Sequence, residues 1–264
     1  MLTLVAGSFM RIAGLFTALL GLLASLQLVL IASAATFAEA RSFERLTQAL
    51  PTFIQNGFGP GLMSFDGMAM IGYFHPLAVM LVVQFAVYVG TEPAGEVEHG
   101  LVDLVLARPL PRHWLISRSL VLMTAGIVAL ILAMGFGTWL GLWTLAPRGA
   151  RWPGVRVGLT MTTHLAMVAW CFGAAALAVG AYARRRGSAQ ASVALASVAL
   201  YLIDFIGESW APAHPLARLS PFHYYHGAAI LRGAANSAID LSFLGALAAA
   251  GIALAYWRFG RRDL

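Results

Sequence analysis

The sequence contains no lysine: all 17 basic residues among its 264 are arginines. That zero excludes two chemistries from the chain. A P-loop needs a lysine to reach the nucleotide phosphates, and a Schiff-base enzyme needs a lysine amine as nucleophile. Charge of either sign is scarce, at 11% of residues against about 25% in soluble domains. The single cysteine, Cys171, sits inside an apolar run, so no disulfide framework forms, and it reads as a small buried hydrophobe. There is no H-E-x-x-H pair, no G-x-S-x-G and no aspartate pair facing across two apolar runs, which argues against a polytopic membrane enzyme. Internal repeats and midplane charges, the marks of many secondary transporters, are missing as well.

What remains is hydrophobic. Apolar residues make up 60% of the chain, and mean hydropathy is +0.79. Six runs reach the roughly 20 residues that a bilayer crossing needs: 12–35, 67–90, 117–146, 158–182, 188–207 and 240–258. The expected fold is all-α, a polytopic membrane protein of six transmembrane helices forming a single domain over 1–264. The third run is long, and Gly135, Gly137 and Gly141 are the places where it is expected to tilt or break. The first run ends in "ASAA", which resembles a signal cleavage site. Its apolar stretch exceeds the 7–15 residues of a signal core, so it is read as a retained span.

Arginine placement orients the chain. With the N-terminus inside, ten arginines lie on the cytoplasmic side and seven outside. The tight Arg184–Arg186 cluster and the tail "RFGRRDL" weigh in the same direction, so both termini are expected in the cytoplasm. The net charge of +6 then reports membrane topology and not a nucleic-acid partner.

Four of the eleven acids crowd into the segment 91–116: Glu92, Glu96, Glu98 and Asp103. At 100° per residue, Glu92, Glu96, His99 and Asp103 fall within about 60° of one another, with Val97, Leu101, Leu104 and Val105 opposite. The spacing predicts one amphipathic helix over 92–108, acids outward and aliphatics toward the bundle. Pro93 suits its first turn, the early acids suit its dipole, and Pro109 and Pro111 end it. Glu96-x-x-His99 has the spacing of a di-iron ligand pair, but such centres need two pairs and further carboxylates.

This loop carries a resemblance. "GEVEHGLVDLVLARPLPRHWLISRSL" resembles the cytoplasmic loop of ABC-2 type ABC transporter permeases, with Glu96, Glu98, Gly100, Arg108, Pro109, Arg112 and Arg118 in the matching places. "LSPFHYYHG" before the last span resembles that family's outer segment. The resemblance implies six spans, an amphipathic N-terminal segment and a coupling helix between spans 2 and 3. It implies a plasma membrane of a bacterium or archaeon, and it extends to a branch serving copper-enzyme maturation. It also implies a separate P-loop ATPase subunit, a second permease chain in a homo- or heterodimer, and transport, as export, of an unnamed substrate. Cofactors are then none in this chain, with ATP and Mg on the partner. The implied contact residues are Glu92, Glu96, Glu98, His99, Gly100, Asp103, Arg108, Pro109 and Arg112. A non-transporting or mechanotransmitting scaffold for periplasmic enzyme maturation is the alternative, ahead of a polytopic enzyme. The N-terminal "MLTLVAGSFMR" departs from the family in holding one arginine, and His99 stands where the family often has a small residue.

Outside the loop, Asp204 and Glu208 sit at the outer end of the fifth run, and His75 precedes Pro76 in the second. These are candidates for a pathway or gate, since a membrane acid is costly to keep. No metal site is expected from the spacing. His214, His223 and His226 would be its outer-side candidates, and "FHYYH" is read as aromatic-belt packing.

Overall fold

A backbone in hydrocarbon must satisfy its N–H and C=O groups within its own segment, and the apolar runs accordingly fold as helices. The computed structural model describes residues 2–39, 64–100, 113–233, 235 and 237–261. Among these, α1 is Leu2–Glu39, α2 Phe65–Phe74, α3 Pro76–Gly90, α4 Glu92–Glu98, α5 His113–Leu145 and α6 Val155–Tyr182. Then follow α7 Arg186–Ser209, α8 His214–Ala217, α9 Gly227–Leu231 and α10 Ser237–Gly260, with single 3-10 turns at Ala211–Ala213 and Pro221–Tyr224. Six stretches are long and apolar enough to cross a bilayer: Ile12–Ala38, Phe65–Glu98, His113–Leu145, Val155–Tyr182, Arg186–Glu208 and Ser237–Gly260. Each coincides with one of the six runs read from the sequence, and the protein is a multi-pass membrane protein.

The N-terminal segment is continuous with the first span in the single 38-residue helix α1. The third span does not break at its glycines, since α5 runs unbroken for 33 residues. Two of those glycines serve packing. A Cβ on Gly137 would lie 2.9 Å from the Ala24 Cα, and one on Gly141 would lie 2.9 Å from Ile31 Cδ1. Small residues let membrane helices approach closely, and α1 lies along α5 through this stripe. Gly135 faces open space.

Helix α6 is the centre of the bundle, flanked by α10 on one side and α3 on the other. In its most apolar stretch 67% of residues are buried, against 17% in α10. Leu165, Val168 and Leu177 of α6 join Val82 and Val83 of α3 and Leu244 of α10 in the core. The outer helices turn Leu195, Leu202, Phe205, Leu247 and Leu254 outward, as apolar surroundings require.

The second span bends where the sequence places Pro76. That residue has no N–H to donate, and the next one, from Leu77, goes to His75 Nδ1 at 3.3 Å. The Tyr73 carbonyl is thereby left without its helical donor. The Tyr225 hydroxyl supplies one at 2.7 Å. Tyr73 in turn shares a 3.0 Å hydrogen bond with Thr138, which donates to Gln27 at 3.4 Å. A buried polar chain thus joins the first three spans to the segment before the last.

Two ends follow from the helix directions. Glu92–Gly100, Arg118 and Arg186 lie at one end. Asp204 is 18 residues beyond Arg186 on α7, or about 27 Å, so it lies at the other with residues 210–233.

Candidate functional site

Thr91 joins α3 to α4 at φ −89°, ψ 0°. Its hydroxyl donates to the carbonyls of Val87 and Tyr88, each at 3.1 Å. The chain therefore leaves α3 with only a slight offset and α4 stays inside the bundle, against α7 and α6. This corrects the expectation of an acid face turned outward. Glu92 and Glu96 are each only 5% exposed, and Glu96 meets a partner of opposite charge from another span.

Glu96 Oε1 lies 2.9 Å from Arg118 Nη1, and Arg118 is itself buried. Arg186 packs on the other side. Its guanidinium donates to the Tyr88 carbonyl at 3.0 Å and stands 4.4 Å over the Tyr88 ring. Its backbone N–H donates to Glu98 Oε2 at 2.8 Å. Gly95 leaves room for this side chain, for a Cβ there would come within 2.8 Å of Arg186 Cδ. A cavity of about 270 Å³ lies between these groups, lined by Tyr88, Glu92, Glu96, His99 and Arg186.

Exposure begins at Glu98, followed by His99 and Gly100. His99 Nδ1 donates to the Gly95 carbonyl at 2.7 Å. Gly100 takes φ +66°, and its N–H turns back to the Val97 carbonyl at 3.2 Å. A glycine in this left-handed position closes a helix. The helix expected over 92–108 therefore ends at Glu98, and its predicted face is split between a buried half and an exposed one. Asp103, Arg108, Pro109 and Arg112 lie outside the described residues.

Sequence reasoning placed Arg118 in the resembling loop motif and Arg186 in a topology anchor, and missed both as partners of α4 and the end of α3. No local spacing links Glu96 to Arg118 or Tyr88 to Arg186. The available signal was that Arg118 opens the span directly after the acid-rich segment; Arg186, 88 residues from Glu98, offered none.

The opposite end gathers the histidines. Asp204 is 9% exposed, and its Oδ1 lies 3.4 Å from His223 Nδ1. Four residues on, Glu208 Oε1 lies 3.4 Å from His226 Nε2. The His223 and His226 rings are 5.0 Å apart, and the exposed His214 stands 6.1 Å from His223. A cavity of about 230 Å³ is lined by His164, His223, Tyr224, His226 and Asp240. Burial, then His214, holds His223 below its ordinary range. Burial, then His223 and His214, pushes His226 down to about 4. Both shifts favour the neutral imidazole. His75 is not part of this group; it caps the kink in span 2.

The aromatic packing expected of "FHYYH" is present in part. Phe222 lies 5.1 Å from Phe172, and Tyr224 stacks on Phe243 at 4.1 Å. The two histidines depart from that pattern by facing carboxylates. In the sequence His164 was visible only as one of five outer-side histidines and Asp240 not at all, because each arrives on a different span.

Compared with known proteins, residues 4–264 match the family model described as "ABC-2 family transporter protein". No curated protein and no solved structure matches the chain.

Proposed function

The chain belongs to the ABC-2 family of transporter proteins, and from that premise we propose that it is a permease whose partner ATPase drives it through the segment following α4. The observation that carries this reading is the Glu96–Arg118 pair. It ties the last turns of the second span to the start of the third, on either side of residues 101–112. Glu98 adds the start of the fifth span through the Arg186 backbone. A force applied between Glu98 and His113 then reaches three spans together, and α3 transmits it to the central helix α6.

In this proposal the ATPase touches Glu98, His99 and Gly100, with Asp103, Arg108, Pro109 and Arg112 completing the surface. Glu92 and Glu96 stand behind that surface and stiffen it. This end faces the cytoplasm, a placement supported by Arg118, Arg184, Arg185, Arg186, Arg258 and Arg261 gathered there. ATP and Mg belong to the partner, because a chain without lysine has no P-loop of its own. A second permease chain, alike or different, completes the pathway, and transport runs outward.

The test starts from the full chain, tagged and purified from its own membrane under mild detergent. A P-loop ATPase should co-purify, and its ATP hydrolysis should respond to the permease. Glu98→Arg combined with Arg108→Glu should lose both signals while the chain still elutes as a folded species. Retention of both signals in that variant overturns the proposed contact surface.

A further inference from the structure

We propose that Asp204, His223 and His226 form a binding site for a divalent transition-metal ion of the zinc class, at the end of the bundle opposite Arg186. Their ligand atoms, one from each side chain, all lie within 4.8 Å of one another, and among the described residues no other three His, Cys, Asp or Glu side chains are so arranged. Two imidazoles and a carboxylate suit Zn²⁺, Cu²⁺ or Ni²⁺. Ca²⁺ and Mg²⁺ call for oxygen donors.

The Asp204–His223 separation suits a shared ion. His223 Nδ1 and Asp204 Oδ1 are 3.4 Å apart, beyond the usual N–H···O range of about 2.7–3.2 Å. Two donors bound to one tetrahedral zinc, each at about 2.05 Å, are separated by roughly 3.3 Å. Glu208 stands at the same 3.4 Å from His226 Nε2, beside the three-residue group.

The scaffold holds the ligands in place without an ion. Tyr225, between the two histidines, is buried and fixed by its bond to the Tyr73 carbonyl. Ser220 starts the turn by accepting the Phe222 N–H at 3.2 Å. A second feature points to a ligand as well. His164 shares the adjacent cavity with both histidines and is fully buried. Its Nδ1 donates to the Thr160 carbonyl at 2.8 Å, which leaves Nε2 as an acceptor, and that atom has no hydrogen-bond partner among the described residues. A hydrated ion entering the cavity meets this lone pair. Once bound, the ion joins α7 to the segment before the last span, so the site is also a staple across that end of the bundle.

The experiment uses the full chain in detergent, stripped with a chelator, dialysed, and titrated with Zn²⁺ against a competing chromophoric chelator. One Zn²⁺ per chain is expected, with a rise in thermal stability on binding. His223→Ala and His226→Ala should each weaken binding roughly a hundredfold, the upper end of what losing a mere orienting partner costs. His113→Ala, at the other end of the bundle, should leave binding unchanged. Absence of stoichiometric Zn²⁺, or wild-type binding by either histidine variant, overturns the site. If those variants do not fold, Co²⁺ reads the shell of the wild-type chain. Strong visible absorption of four- or five-coordinate Co²⁺ supports the site, and the weak spectrum of octahedral, water-bound Co²⁺ overturns it.

Discussion

Glu96 and Arg118 meet at 2.9 Å with 6% and 3% of their side chains exposed, and they do so from the two ends of one loop. The pair joins α4 to α5 on either side of residues 101–112. Residues 101–112 are flanked on the entry side by α4, which is buried up to Glu96, and on the exit side by α5. Charges this far from solvent are kept only when matched, since desolvating an ion costs several kcal/mol. The match here is made between spans and not along one helix.

Breaking the pair from one side should therefore be expensive. Glu96→Ala or Arg118→Ala leaves a buried charge without its counter-ion, at about 3–5 kcal/mol. The double variant Glu96→Leu with Arg118→Met should recover most of that loss, because an apolar replacement of both partners is often neutral. Glu98→Ala, on the exposed side, should change stability little. Thermal unfolding of the four purified variants in detergent checks the order; a double variant no better than the worse single one would contradict it.

The six spans were legible because hydrocarbon imposes one rule on every residue in them, and a run of apolar letters records that rule directly. The coupling segment was only half legible. Its acids do share a face by angle, but angle says nothing about what stands opposite. Arg118 draws Glu96 inward, Arg186 lines the same cavity as Glu92, and both arginines lie on other spans. Gly100 was visible as a letter, yet its left-handed turn depends on α4 ending at Glu98. The histidine group was legible only as composition. His223 and His226 are close in sequence, whereas Asp204, His164 and Asp240 reach them through tertiary packing that no spacing encodes.

The glycines divide by what a methyl group would meet. A Cβ on Gly90 would come within 2.6 Å of the Gly173 carbonyl oxygen and 2.9 Å of Ala176 Cβ, where backbone gives no room. Gly90→Ala should force α3 away from α6 and cost about 1–3 kcal/mol. Gly135→Ala meets open space and should stabilise, since alanine is favoured over glycine in a helix by about 1 kcal/mol. Paired melting curves in detergent test the contrast, and equal effects would contradict the close approach of α3 and α6.

Tyr225 serves a carbonyl that Pro76 and His75 set free. Removing its hydroxyl in Tyr225→Phe leaves the Tyr73 carbonyl buried without a donor, at about 1–3 kcal/mol. The same change loosens the residue between His223 and His226. Stability and Zn²⁺ affinity should thus fall together in this variant. Loss of stability with unaltered Zn²⁺ binding would separate the turn from the metal site.

Arg186 offers the sharpest test of coupling, because its side chain and its backbone do different things. The side chain holds Tyr88 through a carbonyl at 3.0 Å and through the ring face, contacts worth roughly 2–3 kcal/mol together for a charged donor and a partly desolvated cation. The backbone N–H alone receives Glu98. Arg186→Ala therefore loosens the second span from the fifth at this end, while the contact to Glu98 and the Gln84–Ser197 hydrogen bond persist. If residues 98–112 are where an ATPase acts, this variant should still bind the ATPase but respond poorly to it. The expected outcome is near-normal co-purification with transport-linked ATP hydrolysis reduced several-fold. Glu98→Arg with Arg108→Glu, in contrast, should lose the ATPase itself. Loss of co-purification in Arg186→Ala would assign Arg186 to the docking surface, and full activity would show that the second and fifth spans need not move together.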